Sequence, residues 1–373
     1  MNNLRKTSFL ILGLVIFGLV YSCSNYQDAK QTDSSLNKKS VDDFTTFFAR
    51  DCCGVTGADG IYSVLLPDGR TVWIFGDSFI GTVNADGSRE KDSPIFIRNA
   101  MAVQDGDSLR TLYNEIDGWK TSLVVPEGAP KGKQFSEDSL WYWPGDGFIE
   151  NGKLKVFMSA FYQADTGNWG FRWIRKDIAV LSLPDLKLEE VVIGPEPGKK
   201  KVHYGHAVCD EADDFTYIYG LGEGKVHVAR VEKGDVTSVW KYFNGSSWVT
   251  DPDESEPMLE FSGSEQFSVF KLKDKFVFLS QGGGFSRNVV SFVSDLPYTG
   301  WTNETILFQT TLPSDSENLF SYNALAHPQF IKDGNLLVSY CINSYELEDV
   351  FTDANNYRPR FNWVAVDKIL NNK

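Results

Sequence analysis

The stretch that decides the fold is 59-DGIYSVLLPDGRTVWIFGDSF-79, in which two short apolar runs flank the turn Pro67-Asp68-Gly69. Runs rich in Val, Ile and aromatic residues on either side of an Asp-Gly turn predict a β-hairpin. A polar residue, Asp59, opens the first run, and a small residue, Gly76, stands late in the second. Each of these features returns later in the chain.

The hairpin recurs four times, opening at positions 146, 206, 265 and 327, which are 60, 59 and 62 residues apart. A third apolar run follows every hairpin and is entered through a basic residue: Arg98, Lys176, Lys225, Arg287 and Arg360. Antiparallel units at this period predict propeller blades, because one unit cannot bury both of its faces alone. We therefore predict an all-β fold, a five-bladed β-propeller over residues 44–373. A β-sandwich or jelly roll is the alternative, but neither explains the repeated three-strand unit.

The last repeat lacks a fourth strand, so the segment near Phe44–Ala49 is expected to close the ring. Adjacent Cys52 and Cys53 are interpreted as two buried thiols, with a disulfide between them as the alternative.

The N-terminus has the features of an export signal. A basic start is followed by an uncharged apolar run, Phe9–Val20, and by a small residue, Ser22, directly before Cys23. This order predicts a secretory signal peptide over residues 1–22. The cysteine resembles the lipidated residue of bacterial lipoproteins, and a plain signal peptide with an incidental cysteine is the alternative. We predict lipidation at Cys23, a flexible tether over residues 23–43, and a protein exported and lipid-anchored to the bacterial outer membrane.

Charge narrows the choice of partner. The net charge is −14, and it becomes −16 once the signal peptide takes Arg5 and Lys6 with it. An acidic protein repels phosphate backbones, which excludes nucleic acid as a partner. No set of residues has the spacing of a metal site, so neither a metal nor a cofactor is expected. A divalent ion such as calcium in the channel is the alternative.

The repeat places polar residues at one end of the fold. In an antiparallel blade, the start of strand one, the end of strand two and the start of strand three share an end, and the first strands surround the axis. Residues at these points are therefore expected to converge on one mouth. The predicted catalytic residues are Asp59, Asp77, Asp146, His206 and Glu265. The predicted substrate-binding residues are Arg98, Trp143, Glu223, Gln281, Arg287 and His327.

Each candidate also has a structural interpretation. An aspartate beside a glycine, as at Asp59 and Asp146, often only forms a turn. His206 and His327 can be hydrogen-bonded core histidines, and aromatic residues near the mouth can pack between blades. The functional interpretation rests on their expected convergence at one end.

The first repeat resembles a family of bacterial secreted proteins. The run TGADGIYSVLLPDGRTVWIFGDSFIGTVN, followed by FIRNAM, is similar to predicted five-bladed propellers of largely unknown function, which are related to the endo-D-arabinanase and furanosidase type of glycoside hydrolase. This resemblance implies a glycoside hydrolase-like fold with catalytic carboxylates at the axial mouth, at Asp59, Asp77 and Asp146. The chain departs from that pattern at His206, where a carboxylate would open the third blade.

The predicted function is a glycoside hydrolase-like surface lipoprotein that acts on a polysaccharide or oligosaccharide. Glycoside hydrolysis needs one group that protonates the leaving oxygen and a carboxylate that activates water or attacks the sugar. Asp59 is assigned as base or nucleophile, with Asp77 or Asp146 tuning it. Glu265 and His206 are the leading candidates for the acid, with Glu223 a third. A glycan-binding lipoprotein without turnover and a propeller used for protein contacts are the alternatives.

Overall fold

The computed structural model describes residues 43–90, 95–129, 139–166, 170–283, 285–302 and 304–370. The predicted signal peptide, the lipidation site Cys23 and nearly all of the tether lie outside these ranges. Within them, no helix has both the length and the apolar character that crossing a bilayer requires.

The described chain is nearly all β, with 25 strands in seven sheets and three short α-helices. This confirms the predicted all-β class. The first main sheet has the order β2-β3-β6-β7 and contains the opening hairpin, with the bounds β2 Tyr62–Leu65, β3 Thr71–Phe75, β6 Ala100–Asp105 and β7 Ser108–Leu112. Two small sheets accompany it, made of β1 Val55–Ala58, β4 Ser78–Ile80 and β5 Phe96–Ile97, and of β8 Asn114–Ile116 and β9 Trp119–Thr121.

Four further main sheets follow, and each contains one of the later repeats. The second is β10 Leu140–Glu150, β11 Lys153–Gln163, β12 Phe171–Ser182 and β13 Leu188–Ile193. The third is β14 His203–Cys209, β15 Phe215–Gly222, β16 Lys225–Glu232, β17 Lys241–Phe243 and β18 Trp248–Val249. The fourth is β19 Ser268–Leu272, β20 Lys275–Gln281, β21 Asn288–Ser294 and β22 Thr305–Gln309. The fifth is β23 Leu319–Lys332, β24 Asn335–Ser344 and β25 Arg360–Ala365.

The tight turns follow from their sequence. Asn151-Gly152 links β10 to β11 with φ values of 51° and 70°, and Asp333-Gly334 links β23 to β24 with 49° and 74°. Two successive positive φ values are the requirement of the hairpin turn that matches strand twist, and Asn-Gly and Asp-Gly meet it at low cost.

The first strands of the main sheets contact one another in a cycle. β2 contacts β10, β10 contacts β14, β14 contacts β19, β19 contacts β23, and β23 contacts β2. Every pair of neighbouring main sheets also shares a hydrophobic cluster. Phe157 and Ile218, for example, meet between the second and third sheets, and both are fully buried. The core is therefore divided among the interfaces between sheets.

Residues Phe44–Phe48 form helix α1 rather than a strand, so the expectation that Phe44–Ala49 completes the fifth sheet is wrong. Asp43 caps the helix by accepting a hydrogen bond from the Thr46 amide at 3.0 Å. Phe44 and Phe48 are one turn apart and pack on Phe361 of β25.

Short helices accompany the strands of the fifth sheet. Helix α2 (Leu347–Thr352) and a 3-10 turn (Ala354–Tyr357) lie between β24 and β25, and helix α3 (Val366–Leu370) follows β25. Cys52 and Cys53 are exposed and joined as a disulfide, so the interpretation as buried thiols is wrong.

Candidate active site

One cavity of about 1050 Å³ opens at the end where the repeats were expected to converge. Six of the eleven predicted site residues of the body line it: Asp59, Asp77, Arg98, Trp143, His206 and Glu265. They come from four of the main sheets and from the segments that lead into them, so no single repeat forms the site. The fifth repeat contributes Tyr322 and Asn323 to the wall.

Asp59 is held by two tyrosines. The hydroxyls of Tyr322 and Tyr357 donate hydrogen bonds to Asp59 Oδ2 at 2.8 and 3.1 Å. Burial, together with the negative charge of Asp77, raises the pKa of Asp59 to about 7, although the two tyrosine hydroxyls act in the opposite direction. A carboxyl group that titrates near neutral pH can either accept or donate a proton there.

Asp77 is fixed by cationic and aromatic neighbours. Arg98 Nη1 lies 3.1 Å from Asp77 Oδ2, and Trp143 Nε1 donates a hydrogen bond to Asp77 Oδ1 at 2.6 Å. The Arg98 guanidinium also stacks 4.5 Å from the ring centre of Trp141. Asp77 therefore holds a negative charge in a fixed position, where it raises the pKa of Asp59. Arg98 forms an ion pair with Asp77 and also lines the cavity.

The third repeat brings two histidines to the cavity wall, His203 and His206. Residues three apart on a regular strand point to opposite faces. A β-bulge between Tyr204 and Ala207 breaks this alternation, with Gly205 at φ 88°. The backbone there runs so close to the Phe157 ring that a Cβ on Gly205 would lie 2.6 Å from it. As a result, the two imidazole rings lie side by side in an edge-to-face arrangement, with centroids 4.3 Å apart.

Glu265 lies against these histidines. Its Oε1 is 2.8 Å from His203 Nδ1 and 3.7 Å from His206 Nε2, and 58% of its side chain is exposed to the cavity or solvent. Burial, reinforced by the Lys176 ammonium beside His203, holds the pKa of His203 well below its usual range. Burial also lowers the pKa of His206, so both imidazoles are neutral near pH 7, and His203 Nδ1 lies within hydrogen-bonding distance of Glu265.

A chain of hydrogen bonds runs behind this contact. Lys176 Nζ, which is buried, donates to Ser159 Oγ, and Ser159 Oγ lies 2.6 Å from His203 Nε2. Burial lowers the pKa of Lys176 to about 7, against the opposing pull of Glu265 and Asp177. The order Lys176, Ser159, His203, Glu265 links a titrating amine to a carboxylate in the cavity.

Aromatic rings form the rest of the wall. Phe285 and Tyr345 flank Phe320 with ring centroids 4.4 and 4.6 Å away, and they are 43% and 54% exposed. Exposed rings beside carboxylates suit a sugar, which presents C–H faces and hydroxyl edges together. Helix α2 closes this side with Leu347, Val350 and Phe351.

The structure places Asp146 outside the cavity lining, contrary to the expectation that it rings the mouth. It lies in the bulge between Pro144 and Gly147, where Oδ2 accepts a hydrogen bond from the Val208 amide at 2.8 Å. Burial raises the pKa of Asp146 to about 7. Its observed contacts tie β10 to β14.

Four other predicted residues also lie outside the cavity lining. His327 is fully buried and bonds Ser63 Oγ and Ser339 Oγ at 2.6 and 2.9 Å, which matches the core-histidine interpretation. The remaining three have backbone or turn roles: Gln281 donates to the Ser321 carbonyl, Arg287 donates to the Thr310 carbonyl, and Glu223 is an exposed turn residue with φ 50°.

Sequence reasoning missed several residues that build the site. His203 carries a signal, since the spacing His203-x-x-His206 is visible, but a regular strand would separate the two side chains. Lys176 was recognised only as the basic residue that enters a third apolar run, and Ser159 was not predicted to belong to the site. Tyr357 has no sequence signal, because it reaches Asp59 from the turn after α2.

A protein-family model and several solved structures match this chain. A family model described as "Domain of unknown function (DUF5005)" matches residues 42–366. A comparison with curated proteins gives no match. Among solved structures, a proposed hydrolase from Bacteroides ovatus ATCC 8483 is similar, with 25% identity, a TM-score of 0.75, and coverage of 86% of this chain and 88% of that one.

The GH43 protein BlXynB from Bacillus licheniformis is similar with a TM-score of 0.52 at 12% identity, over 83% of this chain and 53% of that one. This likeness concerns the fold, and the chain spans about half the length of BlXynB. It supports a β-propeller-like fold for this chain.

Proposed function

The chain belongs to the DUF5005 family, and from this premise and its site we propose that it is a glycoside hydrolase with a five-bladed β-propeller fold. The observation that carries the proposal is the cavity, where the Asp59–Asp77 pair and the exposed Glu265 share one space with aromatic rings. Similarity to a proposed hydrolase and to a GH43 protein supports the same class of reaction.

The blade count rests on the five main sheets. Each contains one sequence repeat, and their first strands contact each other in a cycle that returns from β23 to β2. Sheets that surround an axis in this way bury both faces against their neighbours, as propeller blades do.

In the proposed reaction Asp59 is the base or nucleophile. Its pKa of about 7 suits proton transfer near neutral pH, and the fixed charge of Asp77 keeps it there. Glu265 is the proton donor to the leaving oxygen, because its side chain is exposed and can turn toward a bound substrate. The chain from Lys176 through Ser159 to His203 supplies a route by which Glu265 regains its proton.

We propose a polysaccharide or oligosaccharide as the substrate. Trp143 and the exposed pair Phe285 and Tyr345 offer stacking surfaces, while the net charge of −14 disfavours polyanionic chains. His206 and Asp77 shape the polar part of the wall.

A panel of neutral plant and bacterial polysaccharides, followed by chromatography of released sugars, tests the activity. Asp59→Asn and Glu265→Gln should each lower the rate by about 10²–10⁴-fold, the range for losing a general acid or base. Asp146→Asn is the matched control, since that carboxyl has a similarly raised pKa but lies outside the cavity lining. Full hydrolysis by Asp59→Asn would refute the assignment, and binding without product from any substrate would favour a glycan-binding lipoprotein.

We also propose that the protein is exported and lipid-anchored through Cys23. The support is the order of basic, apolar and small residues before that cysteine. Metabolic labelling with a radioactive fatty acid should mark the wild type and fail with Cys23→Ala. Equal labelling of both would contradict the proposed site.

A further inference from the structure

We propose that His203, His206 and Glu265 bind a divalent transition-metal ion of the zinc class at the cavity wall. One ligand atom from each residue lies within 4.8 Å of the other two. Glu265 Oε1 is 2.8 Å from His203 Nδ1 and 3.7 Å from His206 Nε2. Bonds of about 2.0–2.1 Å to a tetrahedral zinc place its ligand atoms roughly 3.3 Å apart, a value between the two observed distances. The exposed Glu265 side chain can make the remaining adjustment.

An independent observation points to a ligand at the same place. His206 is only 3% exposed, and neither of its ring nitrogens has a hydrogen-bond partner within the described ranges of the chain. Buried polar atoms are nearly always paired, so an unpaired imidazole whose Nε2 faces a carboxylate needs an explanation. A cation shared with Glu265 would satisfy that nitrogen.

The surroundings of His203 also suit a metal ligand. Its Nε2 lies 2.6 Å from Ser159 Oγ. That oxygen has two lone pairs, so it can accept one hydrogen bond from the His203 Nε2–H and a second from Lys176 Nζ. That arrangement leaves the Nδ1 lone pair facing Glu265. A hydrogen bond to the second ring nitrogen is how metal-binding histidines are usually oriented.

The ligand types select the class of ion. Two imidazoles and one carboxylate favour zinc and similar transition metals, whereas calcium and magnesium prefer all-oxygen sites. Three protein ligands leave a fourth position open toward the cavity, where water or a substrate oxygen can enter. This inference does not depend on glycosidase activity. Glu265 would be a ligand in the ion-bound form and the proton donor in the ion-free form, so the ion would inhibit the proposed hydrolysis.

The test is a zinc titration of the chelator-treated full chain in competition with a chromogenic chelator. We expect one equivalent of Zn²⁺, and a Co²⁺-loaded sample with the visible absorption of a tetrahedral site. Loss of a second-sphere partner typically weakens metal binding about 10–100-fold, so Ser159→Ala should fall in that range and His206→Ala or Glu265→Gln should lose at least as much.

Controls separate binding from folding. Glu265→Gln changes an exposed side chain, so its loss of affinity cannot come from unfolding. His227→Gln should keep wild-type affinity, because His227 bonds Ser255 and is not part of the cavity lining. Unchanged zinc affinity in Glu265→Gln and His206→Ala, or no stoichiometric binding by the wild type, would overturn the proposal. Zinc binding together with no glycan hydrolysis by the chelator-treated, ion-free protein would overturn the proposed function alone.

Discussion

The Tyr357–Asp59 hydrogen bond offers a direct measure of how the fold tunes its central carboxyl group. Tyr357 is buried, and its hydroxyl donates to Asp59 Oδ2 at 3.1 Å. A donated hydrogen bond stabilises the ionised carboxylate, so Tyr357→Phe should raise the pKa of Asp59. A hydrogen bond to a charged group is worth about 1.5–3 kcal/mol, which corresponds to about one to two pKa units. Because Tyr322 still donates at 2.8 Å, the lower end is expected, which moves the pKa from about 7 to about 8.

The opposite change comes from Asp77→Asn. Removing the negative charge of Asp77 favours ionisation of Asp59, and it also frees the Arg98 guanidinium to attract that carboxylate. The pKa of Asp59 should therefore fall below its wild-type value. The two substitutions, Tyr357→Phe and Asp77→Asn, should therefore shift the pKa of Asp59 in opposite directions.

The assay is an NMR titration of protein labelled with ¹³C at the aspartate carboxyl carbons. The signal of Asp59 is identified by its loss in Asp59→Asn. Tyr345→Phe is the matched control, since Tyr345 lines the cavity but is exposed and makes no described hydrogen bond to Asp59. A wild-type Asp59 that titrates near 4, or a Tyr357→Phe variant whose pKa is unchanged or lower, would refute the reasoning.

Three further outcomes are expected. Asp59→Asn should be more stable than wild type at high pH. Folding favours the protonated form of Asp59, so the wild type loses stability as the pH rises from the unfolded-state pKa toward about 7. In urea unfolding at pH 8, the free energy of unfolding of the variant should exceed that of the wild type by about 2 kcal/mol, after allowance for solvent screening. An equal difference at pH 4 and pH 8 would contradict this. His327→Ala should lower the free energy of unfolding by about 2–4 kcal/mol because it removes the buried hydrogen bonds of His327 with Ser63 and Ser339, while the titration of Asp59 stays unchanged. Phe157→Ala, at the interface of the second and third sheets, should lower the free energy of unfolding by about 3–5 kcal/mol in the same assay, and a loss under 1 kcal/mol would argue against that interface as core.

Much of the fold follows from local patterns. Short apolar runs joined by Asp-Gly and Asn-Gly turns specify hairpins, because only such residues adopt two positive φ values at low cost. Each of the five main sheets contains one of the hairpins that recur in the sequence. The sequence did not predict the helix at Phe44–Phe48, since a segment of five residues is too short for its apolar period to distinguish a helix from a strand.

The site was only partly predictable from the sequence, because β-bulges in β10 and β14 change the direction of side chains. Sequence position located the mouth, and Asp59, Asp77 and Glu265 line it. Bulges then redirected individual side chains: Asp146 turned away to bond the Val208 amide, while His203 and His206 came to one face. A bulge depends on the neighbouring strand, so single-strand alternation cannot foresee it.

By itself, then, the sequence determined the β class, the repeated unit and the end of the fold where polar residues gather, because strand period and turn chemistry are local properties. Only the tertiary structure decided which of those residues share the cavity and in what protonation state. Tyr357 lies 298 positions after Asp59, and burial against Asp77 raises the pKa of Asp59 to about 7. Contacts across such distances, and the desolvation they impose on a carboxyl group, exist only once the sheets have assembled.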